Sequence, residues 1–304
     1  RGQNLGFMAG IMCRYLGGMP AVATSFSREK LFQIARSLPA DLQVLSGLGD
    51  LLQDVNSELE EIASLLRRDV ALAARIVRIS NSAMFGGGGQ IASVEEAVNR
   101  VGFGEILKLV GTATTARFSE RALEHYGISA QLLRDNMLHG AFACEELARA
   151  AGADTRVAYT AGLMRTLGIM VLDRAGRGHL HWTERYVPSR WPTYSAWEGG
   201  MFGVDNCEVS ALILAEWRFP REMGDALRRH YLARATDGGS QLACLLNVAG
   251  SLTQRENRSL IGENGCWEIA PEKLQGAGLT EDQLEPALAA ANHAFDAAVA
   301  ALAG

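Results

Sequence analysis

LLRRDVALAARIVRISNSAMFGGGGQIASVEEAVNRVG, Leu65 to Gly102, is the stretch on which the fold turns. Asp69 stands directly before the run VALAARIVRISNSAMF, placed to accept the first free amides of a helix. The run has no proline, and its apolar residues recur at three- and four-residue spacing. It stops at four glycines, Gly86 to Gly89, where a left-handed backbone costs little. Ser93, with Glu96 three residues on, forms a capping box and opens VEEAVNRVG. Upstream, Ser57 and Glu60 give the same signature before a stripe of Leu59, Ile62, Leu65 and Leu66. The reading is helix, turn, helix, and the predicted fold class is all-α.

The rest of the chain supports that class. Gly102 and Gly104 punctuate before EILKLVGTATTARF. AQLLRDNMLHGAFACEELARAAG reads as a long amphipathic helix, and TRVAYTAGLMRTLGIMVLDRAG as another. Between His179 and Gly203 the pattern dissolves among two prolines and three tryptophans, which predicts an irregular, partly buried connector with at least one short helix. NCEVSALILAEWRF is helical again and stops before Pro220. REMGDALRRHYLARA and QLACLLNVAGSLTQRE are two more helices. ENGCWEIAPEKLQGAGLT reads as turns and a short helix. The terminal EDQLEPALAAANHAFDAAVAALAG holds Pro286, either in its first turn or at a kink. The expected division is a leader without fixed structure over 1–27, with Met19 a candidate start. An N-terminal helical part follows over 28–125, a second bundle over 126–255 and a C-terminal extension over 256–304. The best seam lies near Arg117 to Ile128.

Bulk properties narrow the function classes. The chain has 304 residues, 48% of them hydrophobic, and a formal net charge of −5. That is enough for a substantial core and offers no electrostatic attraction to nucleic acid or an anionic membrane. The apolar runs are short and interrupted by charge, so no segment reads as a membrane span. Cys13, Cys144, Cys207, Cys244 and Cys266 are odd in number and widely spaced, without a Cys-x-x-Cys pair. They read as free, mostly buried thiols in a reducing, cytoplasmic setting.

Few residues offer chemistry. The glycine run lacks the Lys-Ser or Lys-Thr and the preceding strand of a phosphate loop, and reads as a turn. His179 and His181 have no acidic or cysteine partner at a ligand-like spacing, and read as exposed connector. No Gly-x-Ser-x-Gly occurs, and the cysteines lie in apolar helices without a local cation. In AGLMRTLGIM, Ala161 to Met170, the greasy run is broken by Arg165 and Thr166. Arg165 either snorkels from an apolar flank or faces an interior cleft, with Gly162 and Thr166 leaving room beside it.

The quoted stretch resembles the first half of an HDOD module, the HD-related output domain of bacterial signalling proteins. The resemblance is carried by Asp69-Val70-Ala71-Leu72, by Asn81-Ser82-Ala83 and by Ser93-Val94, Ala97-Val98, Val101 and Gly102. VAYTAGLMRTLGIMVL is similar to that family's Ala-Phe-x-Ala-Gly-Leu-Leu-His-Asp-Ile-Gly. MFGVDNCEVSALILAEWRFP and ALRRHY match its later segments. The match runs from about Phe32 to about Leu252. It implies an HD-like helical bundle preceded by a helical N-terminal subdomain, and an ancestral chemistry of metal-dependent phosphohydrolysis. In catalytic HD proteins a His, a His-Asp pair and a later Asp hold one or two metals, which activate water and clamp phosphate oxygens.

Carried over residue by residue, the ligand pattern is broken. His139 matches the first His. The His-Asp pair has become Arg165-Thr166. A further His falls at Asn206, His230 survives beside Tyr231, and the late Asp falls at Gly250. Both anionic ligands are absent, and a fixed cation stands where one imidazole should be. At short range in a partly buried site, that cation and a dication repel by on the order of several kcal/mol, and arginine will not deprotonate to relieve it. The resemblance therefore implies a non-catalytic regulatory module without metal or cofactor, working through a protein partner in a signalling pathway. Its expected contact surfaces are the aromatic connector (Trp182, Trp191, Trp197) and the alanine-rich terminal helix. A second reading has Arg165, His139 and His230 bind a small anionic ligand, a phosphate or nucleotide. A third keeps residual phosphohydrolysis through an unusual ligand set, for instance Glu145, Glu146 and Asp205.

Overall fold

The computed structural model describes residues 26–36, 59–67, 69–82, 85, 90–118, 121–231 and 240–303. Most of the expected leader, Met19, Cys13, Ser57 of the first capping box and the Gly86–Gly89 turn lie outside these residues. Within them the chain forms α1 (Arg28–Arg36), α2 (Leu59–Leu66), α3 (Val70–Ser80), α4 (Val94–Phe118), α5 (Ala130–Ala150), α6 (Thr155–Met164) and α7 (Leu167–Gly176). There follow α8 (Tyr194–Phe202), α9 (Asn206–Glu216), α10 (Arg221–Arg229), α11 (Gln241–Arg255), α12 (Pro271–Ala277) and α13 (Leu284–Ala303). Among the described residues the β-structure is a single antiparallel bridge, Leu123 to Ile128, between α4 and α5. The fold is all-α.

The helix starts are those that the side chains dictate. Asp69 accepts from the Ala71 and Leu72 amides at the head of α3. Ser93 accepts from Glu96 N–H, while the Glu96 carboxylate takes the amide of Ala92 instead of that of Ser93. Ser129, Asp154, Thr193, Asp205 and Ser240 cap α5, α6, α8, α9 and α11. Each supplies an acceptor to one of the amides that the first turn leaves unpaired. At the end of α3, Asn81 donates to the Val77 and Ile91 carbonyls and accepts from Ile91 N–H. One amide side chain thereby ties the turn between α3 and α4 shut. Gly102 has φ 75° and bends α4 where the sequence placed its punctuation.

α5 is the centre of the bundle and packs against α4, α6, α11 and α13. α6 approaches it closely: a Cβ on Gly162 would lie 2.8 Å from the Gly140 carbonyl. α3 and α2 pack on α4, and α9 packs on α7 and α10. α1, grouped in the sequence with the N-terminal part, lies instead on α7 and α9 of the second part. Phe26 beside it packs on His179 and Phe202, with ring centroids 4.9 and 5.7 Å apart. Pro286 sits in the first turn of α13, whose Leu284, Leu288, Phe295, Ala287, Ala291, Ala298 and Ala301 are buried. The connector holds a 3-10 turn, Trp182–Glu184, and then α8. Trp197 is fully buried, with its indole N–H on the Glu184 carbonyl at 2.9 Å.

Candidate functional site

The stretch read as one helix over Thr155–Gly176 is two, and Arg165 and Thr166 are the break between α6 and α7. Sequence spacing could not show this, because both halves keep helical periodicity. The cause lies in α9. Ser210 Oγ accepts from Gly168 N–H at 2.8 Å and donates to the Arg165 carbonyl at 3.4 Å. One hydroxyl so takes up both a free amide and a free carbonyl of the break. Gly168 is required there, since a Cβ would fall 2.0 Å from the Asn206 carbonyl oxygen. The break turns Arg165 into the interior, where it is 5% exposed.

Arg165 is held at both terminal nitrogens. Nη1 donates to Glu263 Oε1 and Nη2 to Asn136 Oδ1. The Tyr231 hydroxyl donates to the same Glu263 oxygen at 2.6 Å. The guanidinium carbon lies 5.1 Å from the centre of the Trp267 ring. Burial is the largest influence and opposes the charge, but the Glu263 carboxylate and its hydrogen bond, with Tyr231 and Cys144, together hold Arg165 above its ordinary value. Burial and Glu263 likewise keep the Tyr231 hydroxyl protonated. Glu263 itself is completely buried.

Trp267 is the second surprise. A Cβ on Gly250 would lie 2.6 Å from its ring, so the indole covers the ground an aspartate would need. The same ring packs on His230 and Tyr231, at 6.0 and 5.3 Å. Its outer side lines an open groove of about 460 Å³ with Ser251, Gln254, Arg255 and Ile269.

The other positions scatter. His230 Nδ1 donates to the Leu227 carbonyl at 2.6 Å, and its Nε2 has no partner among the described residues. Burial, seconded by Arg165, holds this imidazole down to about 3. His139 uses both nitrogens, against Thr253 Oγ1 at 3.0 Å and Asn292 Oδ1 at 3.1 Å. Burial and then Arg258 hold it down to about 4. Asn206 turns away to Glu198, giving one carboxylate oxygen its backbone and side-chain N–H at 2.7 and 2.8 Å. Tyr126 donates to the other Glu198 oxygen at 2.6 Å. Burial raises Glu198 to about 8 against these hydrogen bonds. Thr166 is buried, with its hydroxyl unpartnered among the described residues. The structure thus gathers Arg165, His230 and Gly250 around one indole and leaves His139 and Asn206 to other networks.

The HDOD domain profile matches residues 38–233 of this chain. The chain belongs to the HDOD family. Three solved structures share the fold. One is named as a candidate signal transduction protein from Marinobacter aquaeolei VT8, with TM-score 0.66 and 19% identity over 98% of this chain and 65% of that one. Another is named as a candidate phosphohydrolase from Shewanella amazonensis SB2B, with TM-score 0.64 and 20% identity over 90% and 97% of the two chains. A third is an HDOD domain protein of unknown function from Geobacter sulfurreducens, with TM-score 0.59 and 16% identity over 98% of each chain. An uncharacterized protein of Treponema pallidum is 27% identical over 183 residues, 59% of this chain and 35% of its own length. The chain therefore spans about a third of that relative and under two thirds of the Marinobacter protein.

The donor set of this HDOD chain does not fit the metal that HD chemistry uses. Thr253 occupies one nitrogen of His139 and Asn292 the other, Trp267 fills the place beside Gly250, and the guanidinium of Arg165 lies against the same indole, paired with Glu263. The free lone pair of His230 Nε2 faces this alone. Glu145, Glu146 and Asp205 are engaged elsewhere: Glu145 with Lys108 and Arg149, Glu146 with Arg149, and Asp205 as the cap of α9. Among the described residues no three His, Cys, Asp or Glu side chains are grouped to hold a metal. His181 caps the 3-10 turn, and His179 packs on Phe26. Cys144, Cys207 and Cys244 are buried, and burial pushes the Cys144 thiol up to about 12. No described helix is long and apolar enough to cross a membrane.

Sequence reading missed Glu263, Asn136 and Trp267. Glu263 is 98 residues from Arg165 and lies in a segment read as turns. Its one visible signal was an acidic residue inside IGENGCWEI, which spacing alone cannot pair with an arginine.

Proposed function

We propose that this chain is a non-catalytic HDOD regulatory module that acts through protein contacts. One observation carries the reading: Arg165, at the position that the resemblance gives to a ligand, is buried and paired with the Glu263 carboxylate. A divalent ion placed there would have to displace a buried ion pair and share the space with a guanidinium that cannot lose its proton. Cys207 Sγ lies 3.7 Å from His230 Nδ1, but burial keeps that thiol protonated and so a poor nucleophile. The anion-sensing reading is weakened by the same geometry, since both donating ends of Arg165 are committed and His139 and His230 are neutral.

Among the described residues the large exposed apolar side chains are Trp182, 69% exposed, and Ile261, 53% exposed. Of the connector tryptophans, Trp197 belongs to the core and Trp191 packs on Gly200. The contact-surface reading therefore narrows to Trp182. On α13, Ala287, Ala291, Ala298 and Ala301 are buried and serve the bundle, and the exposed positions are Pro286, alanines such as Ala289 and Ala300, and polar residues.

The test is metal content of protein purified without chelator, with hydrolysis of bis(p-nitrophenyl) phosphate assayed under Mn²⁺, Mg²⁺ and Ni²⁺. Sub-stoichiometric metal and turnover at the buffer rate are expected. A stoichiometric transition metal, or turnover abolished by His230→Ala, would overturn the reading.

A further inference from the structure

The HDOD profile ends at residue 233, yet the residues that close the vestigial site come from beyond it. A 3-10 turn, Ile261–Glu263, delivers the carboxylate to Arg165, and the following loop delivers Trp267. Two further contacts fix this short segment. Gly262 lies against the Tyr194 ring, where a Cβ would approach to 2.2 Å. Asn247 of α11 donates to the Cys266 carbonyl at 3.1 Å and to the His230 carbonyl at 2.8 Å, joining the segment to α10.

We propose that Leu260–Trp267 is a built-in plug, in which Glu263 is a tethered anion that occupies Arg165 and keeps carboxylate and phosphate ligands from it. The chemistry of the pair argues for it. A guanidinium presents a fork of donors matched to a carboxylate or phosphate. Buried at 5% exposure without such a partner, it would be an uncompensated charge. Glu263 supplies the partner from its own chain, so no binding entropy is lost to a free ligand. Tyr231 reinforces it, and Trp267 lies over the charged group with its far side at an open groove. Glu263 Oε2 has no partner among the described residues, so one of its two oxygens is not used by Arg165 or Tyr231. The inference rests on the non-catalytic reading only at Arg165. Metal content tests that reading, and anion rescue tests this one.

The experiment is thermal unfolding of wild type, Glu263→Ala and the double variant Glu263→Ala/Arg165→Met, in sodium acetate or orthophosphate against sodium chloride at equal ionic strength. Wild type is expected to show only the small, non-saturating rise that kosmotropic anions give any protein. Glu263→Ala should lose about 5–10 °C in chloride, and regain much of it in acetate or phosphate with a saturable concentration dependence. The double variant should show no such rescue. Where Glu263→Ala does not fold in chloride, its refolding yield in acetate against chloride reads the same quantity. A Glu263→Ala protein indifferent to acetate and phosphate overturns the proposal. So does a wild-type protein stabilised by these anions in a manner that Arg165→Met abolishes, because Arg165 would then already be open to them.

Discussion

Arg165 is legible in the sequence as an anomaly and only in the structure as half of a pair. Its neutral surroundings are provided by Glu263, Asn136 and Tyr231. Removing one member of such a pair strands the other in the interior, so Arg165→Met should cost about 3–5 kcal/mol in urea unfolding. Arg165→Met/Glu263→Leu should recover most of that loss, since a buried pair and well-packed apolar residues of like volume are often equivalent. The two imidazoles make a pH prediction. The unfolded chain binds a proton on each below about 6.5, while the folded chain refuses it down to about 4 at His139 and about 3 at His230. Their contribution is whole above pH 6.5 and fades as the pH falls toward 4, at about 1.4 kcal/mol per pH unit for each. Glu198, raised by burial to about 8, has the opposite slope between 4.5 and 8. The histidine part is therefore read as a difference: between pH 6.5 and 4 the stability of His139→Gln should fall less steeply than wild type by about one proton's worth.

At the scale of elements, the caps at Asp69 and Ser93 and the bend at Gly102 stood in the sequence, because each acts within four residues of itself. The division of α6 from α7 did not. It is imposed by Ser210 and the backbone of Asn206 on another helix, 42 and 38 residues away from Gly168. Gly168→Ala should be among the most damaging small substitutions in the protein, because its new methyl meets backbone that cannot yield. A loss of several kcal/mol or failure to fold is expected, read by circular dichroism and solubility. Gly250→Ala is milder in kind, since it meets a movable side chain. It should displace the Trp267 indole and shift its fluorescence, with a cost of about 1–3 kcal/mol. At Asn81, substitution by Ala removes two hydrogen bonds to Ile91 across the turn between α3 and α4 and one back to Val77. A loss of about 1–3 kcal/mol is expected, scaled from the usual worth of each bond.

For the molecule as a whole, the HDOD profile and the packed unit are not coextensive. α11 and α13 both lie on the central α5, and both contribute residues beyond position 233. A chain truncated after Arg255 would lose Glu263, Trp267 and α13 together, leave Arg165 without its carboxylate and bare one side of α5. Such a protein is expected to be insoluble or to lack a cooperative transition by calorimetry. A soluble, cooperatively folding truncation would show the extension to be an accessory.

The amino-acid sequence by itself determined the fold class, most helix starts and the family, and it set the expectation of a broken ligand pattern. These rest on caps, spacing and ordered motifs, all of which operate between residues near in the chain. The tertiary structure alone decided what faces Arg165. A charge buried between helices takes whichever counter-charge packing brings within hydrogen-bond reach. Here that partner was Glu263, from a segment with no periodic mark of its own.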